Sequence, residues 1–235
     1  IRQYRNSFLG IAWSMLNPAF QIIILSLAFS VVVRFPVKNY ALYLISGLLP
    51  WTFMINSILG GSTALIHRNF AITRCLVSKT LFPVSDVLVH LYTFVLSIGT
   101  MYGLSLLLLT DFHWQIVLLP AAMLPLVLFV MAATIAVSYA TPFVRDLGYI
   151  LSMFFNTMFW ATPIIYPLSV LPENYRYLLS FNPFAVMIRP VQMVVYEAQI
   201  PGISVMGYSM AIATGMIVIG YMVYRALNRD VIYYL

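Results

Sequence analysis

Six apolar runs divide this sequence and leave little room for anything between them. They cover residues 19–33, 40–62, 87–109, 114–140, 148–163 and 203–224. Because a helix needs about 20 apolar residues to cross the hydrocarbon core of a bilayer, runs of this kind predict membrane-spanning helices. Only 8% of the residues are charged, whereas a soluble domain has roughly a quarter. The sequence therefore predicts an all-α integral membrane protein, with six transmembrane helices in a single domain over 1–235.

The segment before the first run has a different pattern. Within residues 1–17, apolar side chains recur every three or four positions, and polar side chains share the other face, with Arg2 and Arg5 at its start. This pattern predicts an amphipathic helix in the membrane interface, which Pro18 separates from the first span. The alternative is that the segment is the leading part of that span. Because the chain opens at Ile1, we expect its native start to lie upstream.

The connection between the second and third runs is basic but also rich in apolar side chains. Arg68, Arg74 and Lys79 alternate there with Phe70 and other apolar residues. This mixture favours a short helix with one apolar face, which we place at 66–79. An ordinary basic loop is the alternative.

A second connection, residues 164–201, holds five prolines in a stretch that is still rich in aromatic and aliphatic side chains. A solvated loop is less apolar, and a straight spanning helix does not hold so many prolines. We therefore predict short re-entrant or interfacial helices, at 173–180 and 183–196, before the last span.

The placement of Lys and Arg predicts the orientation in the membrane. Cytoplasmic connections carry an excess of these residues, and six spans put both termini on one side. That side would carry eight cations, Arg2, Arg5, Arg68, Arg74, Lys79, Arg145, Arg225 and Arg229; the other side would carry four, Arg34, Lys38, Arg176 and Arg189. We expect both termini to be cytoplasmic. Cations scattered between apolar runs also argue against a nucleic-acid partner.

The sequence offers little chemistry of its own. The centres of the runs hold no ionisable residue of the kind that couples ion flow to transport. Asp86 and His90, one turn apart at the start of the third run, are a candidate proton relay or metal pair, but capping and anchoring at a helix end is the simpler explanation. We find no phosphate-binding loop, no catalytic triad and, with Cys75 as the single cysteine, no thiolate metal cluster. A transporter of this kind must take its energy from another chain.

Several short motifs resemble one known family. Residues 5–13, Arg-Asn-Ser-Phe-Leu-Gly-Ile-Ala-Trp, followed by Leu-Asn-Pro at 16–18, are similar to the start of permeases in the ABC type 2 superfamily. Arg145-Asp146-Leu147, then Thr-Pro-Ile-Ile-Tyr at 162–166 and Phe-Asn-Pro-Phe at 181–184, resemble the second half of its polysaccharide branch, which exports O-antigen, capsule and teichoic acid. The order and spacing of the motifs match over nearly the whole chain.

The resemblance implies a homodimer that binds two copies of a separate ATPase and exports an undecaprenyl-diphosphate-linked polysaccharide of O-antigen type across the bacterial inner membrane. ATP and Mg would be bound by the ATPase, and this chain would need no cofactor and have no enzymatic activity. The implied coupling residues that contact the ATPase are His67, Arg68, Phe70, Arg74, Lys79, Arg145 and Asp146.

The resemblance also implies a path for the substrate. Arg2 and Arg5 would meet the diphosphate at the cytoplasmic entrance, where a guanidinium can engage phosphate oxygens with two hydrogen bonds. Aromatic rings, on which sugars stack, would line the conduit: Phe20, Phe29, Tyr43, Trp51, Phe53, Phe154, Phe155, Phe159 and Trp160. An outer gate within 164–201 and the turn before it would include Pro163, Tyr166, Asn182 and Pro183.

Each of these assignments has a simpler alternative. The arginines can bind anionic lipid headgroups, and the aromatic residues can serve packing or face lipid. Two other functions also stay open. The first is an exporter of a drug or small lipid in the same superfamily, and the second is a lipid-modifying membrane enzyme that uses Asp86 and His90.

Overall fold

The computed structural model describes residues 12–28, 39–70, 78–108, 113–167, 172, 174 and 181–234. Helices account for most of this part of the chain, and it contains no strand. The helices are α1 (Ala12–Leu27), α2 (Tyr40–Ser62), α3 (Ala64–His67), α4 (Leu81–Leu108), α5 (Leu119–Ala140), α6 (Leu147–Ala161), α7 (Pro183–Val195), α8 (Ile203–Leu227) and α9 (Val231–Tyr234), with a 3-10 turn at Trp114–Leu118. The predicted all-α class is confirmed.

Four helices are long and apolar enough to cross a membrane: α2, the Leu81–Gly103 part of α4, α5 together with its preceding 3-10 turn, and α8. The first of these has the predicted bounds. Helix α4 begins six residues before the predicted run, at Leu81 instead of 87. Pro83 fits there, because the first turn of a helix has no use for the missing N–H.

Helix α1 departs from the prediction at its start. The sequence predicted a break at Pro18, but one helix runs from Ala12 through Pro18 to Leu27. The described part of the predicted interface segment, 12–17, is therefore continuous with the first apolar run. Proline is tolerated inside helices of membrane proteins, because neighbouring groups can satisfy the carbonyl that it leaves unpaired. Residues 1–11, with Arg2 and Arg5, lie outside the described residues.

Helix α2 forms the centre of the subunit. It packs against α4, α5, α7, α1 and α6, and most of its side chains are buried. Its first half is buried on all sides apart from the half-buried Ala41, whereas its second half has one partly open stripe that includes the exposed Asn56. Helix α8 packs on the far side of α5 and leaves most of its surface free.

Glycine allows two close approaches between these helices. A Cβ on Gly61 of α2 would lie only 2.1 Å from Cγ2 of Thr134 in α5, and one on Gly220 of α8 would lie 2.8 Å from the carbonyl oxygen of Ala132. Small residues allow helix backbones to come this close in membrane proteins. These contacts fix the α2–α5 and α5–α8 spacings.

Helix α7 spans only the half of the bundle that lies toward the start of α2. Phe184, at the start of α7, lies 5.9 Å from Trp51, near the middle of α2, and 6.2 Å from Phe129, near the middle of α5 (ring centroids). At the other end of α7, Tyr196 lies 5.2 Å from Tyr43, in the first turn of α2. Helix α7 therefore begins at mid-depth and ends beside the start of α2.

Most of the described cations, all except Arg189, lie at one end of the bundle, where α2, α5 and α8 end and α4 and α6 begin. Arg68 pairs with Asp86 across the α2–α4 connection, and the ammonium of Lys79 donates to the carbonyl of Asn228 just after α8. Arg145 precedes α6 at this end. We call this the cation-rich end; the opposite end is formed by the start of α2, the residues after α6, and the C-terminus of α7.

Candidate functional site

The opposite end holds a buried set of polar contacts between the start of α2 and the chain after α6. We call it the tyrosine cluster, and it comprises Tyr40, Tyr43, residues 163–166, Asn182 and Gln192. The Tyr40 hydroxyl donates to the carbonyl of Ile165 at 2.5 Å. The Tyr43 hydroxyl lies 2.8 Å from the carbonyl of Tyr166 and 3.1 Å from that of Pro163.

The physical reason for these contacts is the early end of α6. This helix has 15 residues, about 22 Å at 1.5 Å per residue, which is shorter than the roughly 30 Å core of a bilayer. Its last carbonyls and those of the following turn have no helical partner, and buried backbone groups left unpaired cost free energy. The tyrosine hydroxyls, together with the side-chain amides of Asn182 and Gln192, supply the missing donors.

Asn182 joins the end of α6 to the start of α7. Its side-chain oxygen accepts from the backbone N–H of Phe184 at 3.0 Å, as an N-cap does, and Pro183 follows at the first helical position. Its side-chain nitrogen lies 3.2 Å from the carbonyl of Ala161 and 3.1 Å from the hydroxyl of Thr162. One side chain thus caps both helices.

Gln192 holds the turn after α6 against α2. Its side-chain nitrogen donates to the carbonyl of Pro163 at 3.2 Å. Gly47 allows this approach, because a Cβ there would lie 3.2 Å from that nitrogen and 3.4 Å from the Cα of Ile164. Since Gly47 lies seven residues after Tyr40, the contact is about 10 Å deeper in the bundle than the first residue of α2.

An ion pair holds the C-terminal end of α7. The guanidinium of Arg189 pairs with both carboxylate oxygens of Glu197, at 2.6 and 3.0 Å, across the turn that ends the helix. Ala198, the next residue, has a φ of 52°, a left-handed backbone conformation that residues other than glycine rarely adopt. The pair therefore holds an unfavourable turn in place.

The predicted gate residues are all part of this arrangement. Pro163 and Tyr166 contribute carbonyls, Asn182 caps two helices, and Pro183 begins α7. The sequence did not indicate that Tyr40 and Gln192 belong to the cluster, or that Arg189 and Glu197 hold the end of α7. The signal for the last two was present, since a cation and an anion eight residues apart stand out in an apolar segment.

The predicted conduit aromatics divide into two groups. Tyr43, Trp51, Phe53 and Phe155 are buried, and the half-buried Phe159 also packs against Trp51. Trp51 is only 3% exposed and forms a cluster with Phe155, Phe159 and Phe184. These five side chains stabilise the subunit interior and offer a passing sugar little or no surface.

The other described aromatics lie on open faces. Phe20 on α1 is 57% exposed and Trp160 on α6 is 65% exposed, with Phe154 also open. Helix α6 contacts the subunit mainly through α2, and Tyr149 and Met153 extend its open face. Phe29 lies outside the described residues.

At the cation-rich end, Arg68 is paired with Asp86, and several other predicted coupling residues are exposed. The Arg68 guanidinium makes two hydrogen bonds to the Asp86 carboxylate, at 2.6 and 2.8 Å, and these bonds raise the pKa of Arg68 further. The Phe70 ring is 69% exposed, and His67, Arg145 and Asp146 are also exposed. Arg74 lies outside the described residues, as does most of the predicted helix at 66–79.

The Arg68 contact also bears on the suggested enzyme. Both oxygens of the Asp86 carboxylate accept hydrogen bonds from the Arg68 guanidinium, so this side chain ties the connection to the start of α4. Asp86 is therefore better explained as an anchor for the α2–α4 connection. Within the described residues, no group of three or more His, Cys, Asp or Glu could hold a metal ion.

The sequence is similar to known transport proteins. The family described as ABC-2 type transporter matches residues 1–196. The O-antigen export system permease protein RfbA of Myxococcus xanthus is 34% identical over 201 residues, which cover 85% of this chain and 77% of that protein. Two proteins of the same name from Klebsiella pneumoniae are each 29% identical over 192 residues, 79% of this chain and 72% of each relative.

Proposed function

The chain belongs to the ABC-2 type transporter family, and from this membership we propose that it is the membrane-spanning subunit of an ATP-driven exporter of lipid-linked polysaccharide. The substrate is a glycan of O-antigen type on an undecaprenyl-diphosphate carrier, and the membrane is the bacterial inner membrane. The observation that carries the proposal is the 34% identity to an O-antigen export permease over 85% of the chain.

The distribution of charge supports a separate source of energy. The described spans hold ionisable Asp, Glu, Lys or Arg only near their ends, as with Asp86 in α4 and Arg225 in α8. Moving a large polar glycan against the bilayer needs coupling to an energy source, and ion coupling needs buried charges. ATP hydrolysis by two copies of a separate ATPase subunit meets that need.

We place six spans in the membrane by adding α1 and α6 to the four long apolar helices. Helix α6 is too short to cross alone, and α7 fills the remaining depth as a re-entrant helix that starts at mid-depth. The tyrosine cluster then lies within the outer half of the bilayer, where every broken backbone group needs an internal partner. The cation-rich end is cytoplasmic, with both termini, because cytoplasmic connections carry the excess of Lys and Arg.

A homodimer provides the conduit. The open faces of α1 and α6 have no partner within the described part of the subunit, and they carry Phe20, Phe154 and Trp160. A second copy facing these helices would enclose a passage in which sugar rings contact aromatic rings, with no fixed deep site. Phe29 stays a predicted member of this lining.

The tyrosine cluster acts as the outer gate. Its side-chain donors hold residues 163–166 over the outer part of the bundle, and the Arg189–Glu197 pair holds α7. Opening the path requires the turn after α6 to leave the Tyr43 and Gln192 donors together, since both share the Pro163 carbonyl.

The cytoplasmic end binds the ATPase subunit and the incoming substrate. The exposed residues His67, Phe70, Arg145 and Asp146 contact the ATPase, with Arg74 as a further predicted contact, and the Arg68–Asp86 pair fixes the connection that carries them. Arg2 and Arg5 bind the diphosphate at the entrance.

Surface glycan in a strain that lacks the native gene tests the proposal. The intact gene is expected to restore surface O-antigen, and Trp160→Ala to reduce it without loss of the protein, because the side chain is exposed and contributes little to stability. Ile219→Ala is the control, since Ile219 is an exposed residue of α8, away from the proposed conduit. Undiminished glycan in the Trp160 variant would contradict the lining role, and failure of the intact gene would contradict the substrate.

A further inference from the structure

A groove runs along the outside of α5 and α8, away from the faces that we assign to the conduit. It has a volume of about 480 Å³ and is lined almost wholly by apolar atoms, which places it within the range of small-ligand pockets, roughly 300–1,000 Å³. Its walls are Leu128, Met131, Ala132 and Ile135 of α5, Ile217, Gly220, Tyr221 and Tyr224 of α8, and Thr80 before α4.

The groove is a product of helix geometry. Each of the two helices contributes residues at positions i, i+3, i+4 and i+7, which form one continuous stripe. Gly220 brings the two backbones together at Ala132, so the larger side chains on either side splay apart. A furrow of about 10 Å results, parallel to the axes of two membrane-spanning helices.

Its two ends differ in polarity. The mid-depth end, at Leu128 and Ile217, is purely aliphatic. At the cation-rich end, the Thr80 hydroxyl lies 3.0 Å from that of Tyr139, and the Tyr139 and Tyr224 rings are 5.1 Å apart. The groove thus passes from hydrocarbon depth to hydroxyl groups.

A cation lies beside the polar end. The Lys79 ammonium donates to the carbonyl of Asn228 at 2.6 Å, and among the described residues no carboxylate lies within 4 Å of it. Partial burial lowers the pKa of Lys79, and a nearby anion would favour its charged form. Asn228 also contacts Tyr224 of the groove wall, with 3.4 Å between its side-chain nitrogen and the hydroxyl.

We propose that this groove binds one acyl chain of an anionic phospholipid from the leaflet at the cation-rich end, with the Lys79 ammonium facing the headgroup phosphate. An aliphatic furrow at hydrocarbon depth, a hydroxyl-lined mouth and a cation without a carboxylate match the three parts of such a lipid in order. The bound lipid fills the space between α5 and α8 and stabilises their contact. The site is separate from the conduit and is independent of which substrate is exported.

Photocrosslinking tests the site on the full-length protein, kept in the assembled form in which it is extracted. The protein is reconstituted into phosphatidylcholine vesicles that contain a minor fraction of phosphatidylglycerol. A phosphatidylglycerol probe with a photoreactive acyl chain is expected to label peptides of α5 and α8 around the groove. Ile217→Trp, which fills the groove, is expected to reduce this labelling about tenfold, the equivalent of losing two buried methylene groups. Ile219→Trp, on another face of α8, is the matched control.

The charge is tested separately by the same labelling. Lys79→Gln is expected to weaken phosphatidylglycerol labelling about fivefold, the effect of one cation near a phosphate, whereas Arg145→Gln, with the same loss of charge at the same end, should leave it unchanged. Equal labelling in the two Ile variants, or equal labelling by a phosphatidylcholine probe, would overturn the proposal. Displacement by undecaprenyl diphosphate but not by excess phosphatidylglycerol would also overturn it, and would assign the groove to the carrier lipid.

Discussion

In the tyrosine cluster, two side-chain donors share one acceptor, and this allows a prediction of how their removal changes the free energy of unfolding. The Pro163 carbonyl faces the Tyr43 hydroxyl at 3.1 Å and the Gln192 amide at 3.2 Å, and these are its side-chain donors within the described residues. Tyr43→Phe removes one donor and keeps the ring contact with Tyr196. Gln192→Met removes the other and keeps a similar volume.

The expected free energies follow from what each variant leaves unpaired. In either single variant the Pro163 carbonyl keeps one donor, so we expect a loss of about 1 kcal/mol, the net value of a hydrogen bond. Tyr43→Phe costs somewhat more, because the hydroxyl also serves Tyr166. In the double variant the carbonyl is buried with no side-chain donor, which costs about 1–3 kcal/mol further. The double loss should therefore exceed the sum of the single losses by at least about 1 kcal/mol.

Reversible unfolding in mixed micelles measures these free energies. Tyr92→Phe, at an exposed tyrosine of α4, is the control and should change the free energy of unfolding little. Hydrogen exchange at residues 164–166 should accelerate most in the double variant. Additive losses, or a Tyr43→Phe variant as stable as the control, would refute the view that these donors hold the turn after α6.

Three further predictions concern the helix junctions. Asn182→Ala should cost about 1 kcal/mol for the lost N-cap, whereas Asn182→Asp keeps the cap and loses only the donor to the end of α6; unfolding measurements that find both variants equal to the native protein would contradict the double capping role. Gly61→Ala should destabilise by about 1–3 kcal/mol because its Cβ meets the Thr134 methyl, and Thr134→Ser, which removes that methyl, should recover most of the loss in thermal unfolding; no recovery would place the strain elsewhere. Arg68→Asp and Asp86→Arg should each reduce surface glycan, and the exchanged pair should restore part of it; a pair as defective as the single variants would show that something other than their contact matters.

The sequence predicted the apolar helices well and their junctions poorly. Helix α2 has the predicted bounds because it is apolar throughout and is surrounded by other helices, so that composition alone defines it. Pro18 was expected to end a helix and does not, since a proline rule derived from soluble helices weakens where neighbours satisfy the freed carbonyl. Helix α7 was predicted at 183–196 and begins where predicted, because Asn182 and Pro183 form a local start signal; it ends one residue earlier, at Val195.

The roles of aromatic residues were the hardest to predict. A spacing pattern does not distinguish Trp51, which is buried against α6 and α7, from Trp160, which is open, because that difference depends on which helices meet in the fold. The same limit hid Gln192, whose partner is a carbonyl 29 residues away. The end of α6 creates the need for that donor, but only the folded structure shows that Gln192 supplies it.

Transport powered by a separate ATPase needs no ion-coupling site in this chain. The most direct test of this energy source is transport of the lipid-linked glycan into vesicles that contain the full-length permease and its co-purified ATPase, with all ion gradients collapsed by ionophores. Transport is expected to continue with ATP and to stop when hydrolysis is blocked in the ATPase. Glycan movement that follows a proton or sodium gradient in the absence of ATP would contradict the account.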